Sequence, residues 1–327
     1  MTDGLIDPYG RRIEYVRLSV TDRCDLRCFY CLPKGFKEFR QPEHWLTLEE
    51  TARVMGAFAE LGTRRIRITG GEPLVRKDIV PLIRSLAAIP GIDDLSLSTN
   101  ATQMERHAEG LKEAGIGRIN VSLDTLNPET FKEITQGSLG PVIRGLTRAA
   151  EVGLRPVKIN MVVMKGLNDH EIFDMVEFCR EHRFTLRFIE AMPVGDAGRR
   201  AGDLFLDLNE VRRRLDERYE LIPDVVPGGG PARYVRIQGS DCNIGFITPM
   251  SRHFCDTCNR VRMAVDGTLF MCLGQEHQYP LRPLLRDGCT DEELKGAILE
   301  AIALKPKRHE FEEKPDQVVR YMSLTGG

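Results

Sequence analysis

Apolar and polar residues alternate with two different periods along the first two thirds of this chain. Short stretches alternate every second residue, as a strand does: Tyr15–Val20, Arg65–Ile68, Asp94–Ser98, Arg118–Leu123, Val157–Val163 and Thr185–Ile189. Between them the apolar spacing widens to three and four residues, the period of a helix with one buried face. One helix starts at Thr47, whose side chain can cap, with Glu50 three residues on as a capping box, and it stops before Gly62. Another starts at Asn127, with Pro128 in the first helical position. Repeated strand–helix units predict an α/β fold with a parallel sheet, open or closed into a barrel.

The strands differ from those of an ordinary (β/α)8 barrel, whose lumen is filled by Val, Ile and Leu. Here one face of each is polar: Arg17 and Ser19; Arg65, Arg67 and Thr69; Ser96 and Ser98; Asn120 and Ser122; Lys158 and Asn160; Thr185 and Arg187. The other face is apolar and must lie under the helices. The polar faces then converge on the lumen. Unpaired buried charge is costly, so Arg17, Arg67, Lys158 and Arg187 imply a wet cavity that holds an anion. The competing expectation is that these cations sit on strand ends or pair with carboxylates such as Glu72, Asp124 and Glu190.

Pro227-Gly228-Gly229-Gly230-Pro231 follows a helix around Glu210–Tyr219 and marks a boundary. It divides the chain into 1–230 and 231–327. Beyond it we expect short strands near Tyr234–Ile237 and Ile244–Ile247. A hairpin should join Val261–Val265 to Thr268–Met271 through Asp266-Gly267, and a last helix should run from about Asp291, capped by Thr290, to about Leu304.

With 327 residues the chain can form one large barrel and a small domain. Its 46 Lys+Arg and 48 Asp+Glu leave a net charge of −2, which gives no case for nucleic-acid or membrane binding. No signal peptide or apolar span is evident. Nine cysteines in such a chain point to metal or cluster binding in a reducing compartment, the cytoplasm, rather than to disulfides.

Three of them, Cys24, Cys28 and Cys31, follow the first strand in the run Thr-Asp-Arg-Cys-Asp-Leu-Arg-Cys-Phe-Tyr-Cys. Zinc usually takes paired C-x2-C arms and a nearby fourth ligand, and no histidine falls between Thr21 and Glu43. Three thiolates can instead hold three irons of a cubane and leave the fourth open. The C-x3-C-x2-C spacing, with Tyr30 before the last cysteine, resembles the signature of radical S-adenosylmethionine (SAM) enzymes. A second set, Cys255, Cys258 and Cys272, has a C-x2-C pair and a third cysteine after 13 more residues. Its spacing fits zinc and a cluster alike, with His253, Cys242 or Cys289 open to serve as a fourth ligand. Arg260 and Arg262 lie within it on one strand face, and Arg forks match phosphate oxygens. Cys179 reads as a small buried hydrophobe.

Taken together, these residues resemble the GTP 3′,8-cyclases of molybdenum cofactor biosynthesis. The likeness rests on Arg-Leu-Ser-Val-Thr-Asp-Arg-Cys at the first cysteines, Arg-Ile-Arg-Ile-Thr-Gly-Gly-Glu-Pro at 65–73 and Ile-Asn-Val-Ser-Leu-Asp at 119–124. Further pieces are Leu-Arg-Phe-Ile-Glu-Ala-Met-Pro at 186–193, Cys-x2-Cys-Asn-Arg-Val-Arg, and the Gly326-Gly327 end. The resemblance implies an incomplete (β/α)6 TIM-like barrel of the radical SAM type, with a small C-terminal domain carrying a second cluster. It also implies two [4Fe-4S] clusters, one on Cys24, Cys28 and Cys31 with SAM, the other on Cys255, Cys258 and Cys272. Tyr30, Gly71, Ser122 and Met192 match positions around SAM, with Gly70 and Gly71 letting backbone approach it closely. Arg17, Arg67, Ser98, Lys158, Arg260, Val261 and Arg262 match positions that hold GTP, and Gly326 and Gly327 a tail that enters the active site.

The implied reaction takes hydrogen from ribose C3′ of GTP and joins that carbon to C8 of guanine. The product, (8S)-3′,8-cyclo-7,8-dihydroguanosine 5′-triphosphate, goes to a separate cyclic pyranopterin monophosphate synthase. An electron donor is implied, and a homodimer is compatible. The alternative enzyme is a radical SAM peptide-modifying enzyme with an auxiliary cluster, although a peptide leaves the lumen cations unexplained. Two residues depart from the family pattern. Ala101 stands where glycine is frequent, and Asp25 where asparagine is common.

Overall fold

A computed structural model of the chain describes residues 4–32, 35–194 and 203–326. The six strands expected from alternation are present as β1 Tyr15–Ser19, β2 Arg65–Thr69, β3 Asp94–Thr99, β4 Arg118–Ser122, β5 Val157–Val163 and β6 Thr185–Glu190. They lie in sequence order and pair in parallel. Their apolar faces are shut away from solvent, with Val16, Ile66, Ile68, Leu97, Ile119, Val121, Ile159 and Leu186 all at 0% exposure. Helices Leu48–Glu60, Ile79–Ala87, Met104–Glu113, Leu139–Glu151 and Ile172–His182 supply the apolar residues that pack on them.

The capping expectations hold in detail. Thr47 and Glu50 form a reciprocal capping box, and so do Thr290 and Glu293 at the helix Asp291–Ala303. Asn127 caps Pro128–Thr135 by accepting from Glu129 N and Thr130 N.

The C-terminal strands are β7 Leu221–Asp224, β8 Arg233–Ile237, β9 Asn243–Ile247, β10 Arg260–Met263, β11 Thr268–Phe270 and β12 Gln278–Pro280. They extend the barrel sheet on both edges, in the order β12-β11-β10-β1-β2-β3-β4-β5-β6-β9-β8-β7. β10 pairs in parallel with β1, and β9 with β6. The expected hairpin is present as antiparallel β10 and β11, with the first strand beginning one residue earlier and ending at Met263. β7 and β12, absent from the sequence reading, are outer strands of three or four residues, each containing proline. Among the described residues no helix is long and apolar enough to cross a membrane.

Candidate active site

The register of the sheet sets Arg262, Arg17 and Arg67 abreast on β10, β1 and β2. Like charges side by side in a sheet repel, and these three are also buried, at 7, 8 and 7% exposure. Among the described residues no carboxylate pairs with any of them, nor with Arg187, Arg260 or Lys158. The acids that could have done so are committed elsewhere. Glu72 accepts from Thr99 Oγ1, Asn100 N and Leu74 N. Asp124 accepts from the Tyr30 hydroxyl at 2.6 Å and Val162 N at 2.8 Å. Glu190 accepts from Met250 N, Ser251 N and the Ser251 hydroxyl. The Nε atoms of Arg17, Arg67, Arg187 and Arg260 are buried without a hydrogen-bond partner among the described residues. Burial, then Arg262 and Arg67, hold the Arg17 guanidinium well below its usual pKa. Burial lowers Arg262 to about 9 and Arg187 to about 10. The arrangement asks for an anion.

A cavity of about 160 Å³ joins these cations to the second cysteine set, since Arg17, Arg67, Arg187, Arg260, Val261 and Arg262 line it together with Cys255, Cys258 and Cys272. Met192 and Asn160 are on its wall as well, whereas Cys242, Cys289 and His253 are not. A second cavity, of about 370 Å³, shares Arg67 and Arg187 and adds Lys158, Arg118 and the loop Pro227-Gly228. Lys158 donates to the Pro227 carbonyl at 3.1 Å. Burial, followed by Arg187, Arg118 and Arg67, brings its pKa down to about 7. The glycine stretch expected as a boundary therefore also walls a cationic pocket.

The first cysteine set sits in the loop after β1, with all three thiols free. Cys31 N and Leu32 N both donate to the Cys28 carbonyl, which folds the last two cysteines into one turn. Burial raises Cys24 and Cys28 and pushes Cys31 up to about 12, with Glu72 and Asp124 adding to the effect on the first two. Gly70 and Gly71 do have a steric reason, and it lies in the protein. A Cβ at either would stand 2.3 Å from the Thr21 or Arg23 carbonyl oxygen, because this backbone abuts the cysteine loop. The hydroxyl of Tyr30 is spent on Asp124, which pins that loop to β4 and β5.

Both departures from the family pattern meet here. Ala101 has φ +62°, the left-handed conformation that glycine adopts at no steric cost. Its neighbours Asn100, Thr102 and Gln103 all donate to the Asp25 carboxylate.

Ser98 and Ser122 line neither cavity, and Ser122 is exposed. The Ser98 hydroxyl is buried without a partner among the described residues. Arg262 donates to the carbonyls of Thr325 and Gly326, so the tail is tucked against β10. Gly326 has φ +73°, and a Cβ there would strike Thr69. Gly327 lies outside the described residues. Three cations around the second cysteines escaped the sequence reading. Arg11 donates to the Cys255 carbonyl, Arg320 to the Cys272 carbonyl, and Lys305 to Cys258 Sγ. Burial opposes ionisation of Cys258, but Lys305, Arg260 and Arg11 bring its thiol below the usual value.

Comparison with known proteins bears on both halves. Residues 18–179 match the family model described as the radical SAM superfamily, and residues 184–311 the one described as Molybdenum Cofactor Synthesis C. The chain is 46% identical over 327 residues to the GTP 3′,8-cyclase of Marinobacter nauticus, covering 99% of this chain and 98% of that one. It is 47% identical over 328 residues to the GTP 3′,8-cyclase of Pseudomonas fluorescens, again covering 99% and 98%. The crystal structure of Streptococcus suis SuiB bound to S-adenosylmethionine matches with a TM-score of 0.63 at 18% identity, over 88% of this chain and 67% of that one. At that identity the likeness shows the fold alone.

Proposed function

The chain belongs to the GTP 3′,8-cyclase family of radical SAM enzymes, and from that membership we propose how its residues carry the reaction. That reaction is the cyclisation of GTP to (8S)-3′,8-cyclo-7,8-dihydroguanosine 5′-triphosphate, the first step of molybdenum cofactor biosynthesis. When bound, a [4Fe-4S] cluster on Cys24, Cys28 and Cys31 and its SAM supply the 5′-deoxyadenosyl radical that takes hydrogen from ribose C3′. Asp124, through Tyr30, holds the loop that presents those cysteines. Gly71 faces SAM from the loop after β2, Ser122 from the end of β4, and Met192 from the far wall of the cavity.

The observation that carries the substrate assignment is the cavity in which arginines that pair with no carboxylate among the described residues meet three free thiols. GTP brings the charge those arginines lack. Its triphosphate runs along Arg17, Arg67, Lys158, Arg260 and Arg262, and guanine lies toward Cys255, Cys258 and Cys272. Val261 lies between the two arginines of β10 in sequence and lines the same cavity, whereas Ser98 on β3, whose hydroxyl lacks a partner among the described residues, would have to reach GTP from outside both cavities. Those three cysteines hold a second [4Fe-4S] cluster. A cubane with three cysteine ligands keeps one iron open, and the three thiols line the same cavity as Arg260 and Arg262. Residues 1–230 carry the first centre and 231–327 the second. Gly326, whose carbonyl accepts from Arg262, stands beside the substrate.

Orientation and exclusion of water are the protein's share of such chemistry. An external electron donor starts the reaction, and a separate synthase consumes the product. Oxygen-sensitive clusters and free thiols suit the cytoplasm.

The test is anaerobic turnover with SAM, a reductant and GTP deuterated at C3′, followed by mass spectrometry of 5′-deoxyadenosine. Deuterium in that product is expected. Unlabelled 5′-deoxyadenosine would exclude the ribose C3′ abstraction.

A further inference from the structure

Lys305 follows the helix Asp291–Ala303 and is 3% exposed, yet no carboxylate pairs with it among the described residues. Its three N–H donors have three acceptors. Two are backbone carbonyls, Arg260 O at 2.9 Å, where β10 begins, and Met271 O at 2.8 Å, just past β11. The third is Cys258 Sγ at 3.6 Å. Neutral carbonyls and a neutral thiol leave a buried ammonium uncompensated, which is unfavourable. A cluster thiolate at Cys258 supplies the missing negative charge. Arg11 and Arg320 brace the neighbouring cysteines only through the carbonyls of Cys255 and Cys272. Of the three cations, Lys305 alone reaches a sulfur.

We propose that Lys305 is a positioning residue of the second centre, whose ammonium bonds the Cys258 sulfur and sets the reduction potential of the cluster held there. The proposal rests on the reading that Cys255, Cys258 and Cys272 carry a cluster. Hydrogen bonds to cluster sulfurs and local charge both govern such potentials. A fixed cation beside the sulfur favours the reduced, more negative state, so its removal lowers the potential. The two carbonyl bonds hold the cation in place, because they tie it to both strands of the hairpin that presents Cys258 and Cys272.

The test is a potentiometric titration of the reconstituted holoenzyme followed by electron paramagnetic resonance, alongside an iron and sulfide count. The signal that does not respond to added SAM reports the second centre. Lys305→Met should keep two clusters' worth of iron. It should also cut the reduced-to-oxidised ratio of the second centre about tenfold at a fixed potential, a downward shift of about 59 mV for one electron. Lys305→Gln, which keeps a donor without the charge, should shift less. Lys305→Arg should restore most of the wild-type value.

Full iron with an unchanged potential in Lys305→Met overturns the proposal. Loss of the second centre in the Met and Gln variants alike also overturns it, leaving a purely structural lysine. A wild-type chain that holds only one cluster's worth of iron overturns the second-cluster reading itself, and that result is recognisable before any variant is made.

Discussion

Lys158 shows how far burial can move one side chain in the absence of its ligand. Its pKa falls from 10.5 to about 7 because desolvation and three neighbouring arginines disfavour the ammonium. Between those two values the folded protein binds fewer protons at this residue than the unfolded chain does. The stability of the ligand-free protein therefore gains from Lys158 as pH rises through that window. A triphosphate reverses the preference, because the anion stabilises the ammonium and binding then takes up a proton. GTP affinity should fall as pH rises above about 7, by at most about tenfold per pH unit from this residue. Titration calorimetry between pH 6.5 and 9 in buffers of different ionisation enthalpy would show the proton uptake, and Lys158→Arg should flatten the profile. A pH-independent affinity would remove Lys158 from the phosphate site. Ala101 is a second case at this scale. Its left-handed backbone costs about 1 kcal/mol relative to glycine, and the three donors that its loop gives Asp25 offset that strain.

At the scale of elements, the arginine row across β10, β1 and β2 sets stability against function. Removing one charge relieves repulsion from two sides and leaves no carboxylate stranded. Arg17→Met should stabilise the ligand-free protein by about 1–2 kcal/mol and weaken GTP binding at least tenfold, about 1.4 kcal/mol. Urea unfolding and calorimetry read the two effects separately. A destabilised variant with unchanged GTP affinity would place Arg17 in the scaffold.

The barrel strands were legible in the sequence because each carries a complete alternation, and two of the helices between them announce their starts with the caps Thr47–Glu50 and Asn127. β7 and β12 were not, since three or four residues with a proline give too short a pattern. The parallel pairing of β10 with β1 was equally hidden. Periodicity says which face a strand buries and nothing about which distant strand lies beside it. The same limit explains the missed cations. Arg11, Lys305 and Arg320 reach the second cysteines from far along the chain, whereas Arg260 and Arg262 lie inside the motif and were found.

Over the whole molecule, the two cysteine sets sit in different electrostatic surroundings. Asp25, Glu72 and Asp124 border the first, where Arg27 also donates to the Cys24 carbonyl, and Arg11, Arg260, Lys305 and Arg320 border the second. The two centres should therefore fail independently. Cys255→Ser should leave SAM binding within about twofold of wild type, about 0.4 kcal/mol, and abolish the cyclised product. Equilibrium binding and product analysis check the two claims, and retained cyclisation would remove the second centre from the reaction. The pairing of β1 with β10 has a further consequence, for the birth of the protein. β1 leaves the ribosome long before β10, and until β10 follows it shows a bare edge to other chains. At about 5–20 residues per second that interval lasts many seconds. Cys24, Cys28 and Cys31 can meet iron early in it, whereas the other three thiols gain their cationic frame only when Lys305 and Arg320 arrive. On the proposed two-cluster reading, maturation would be ordered in time, and a chain truncated before residue 260 would carry the first cysteines beside an unprotected, aggregation-prone strand.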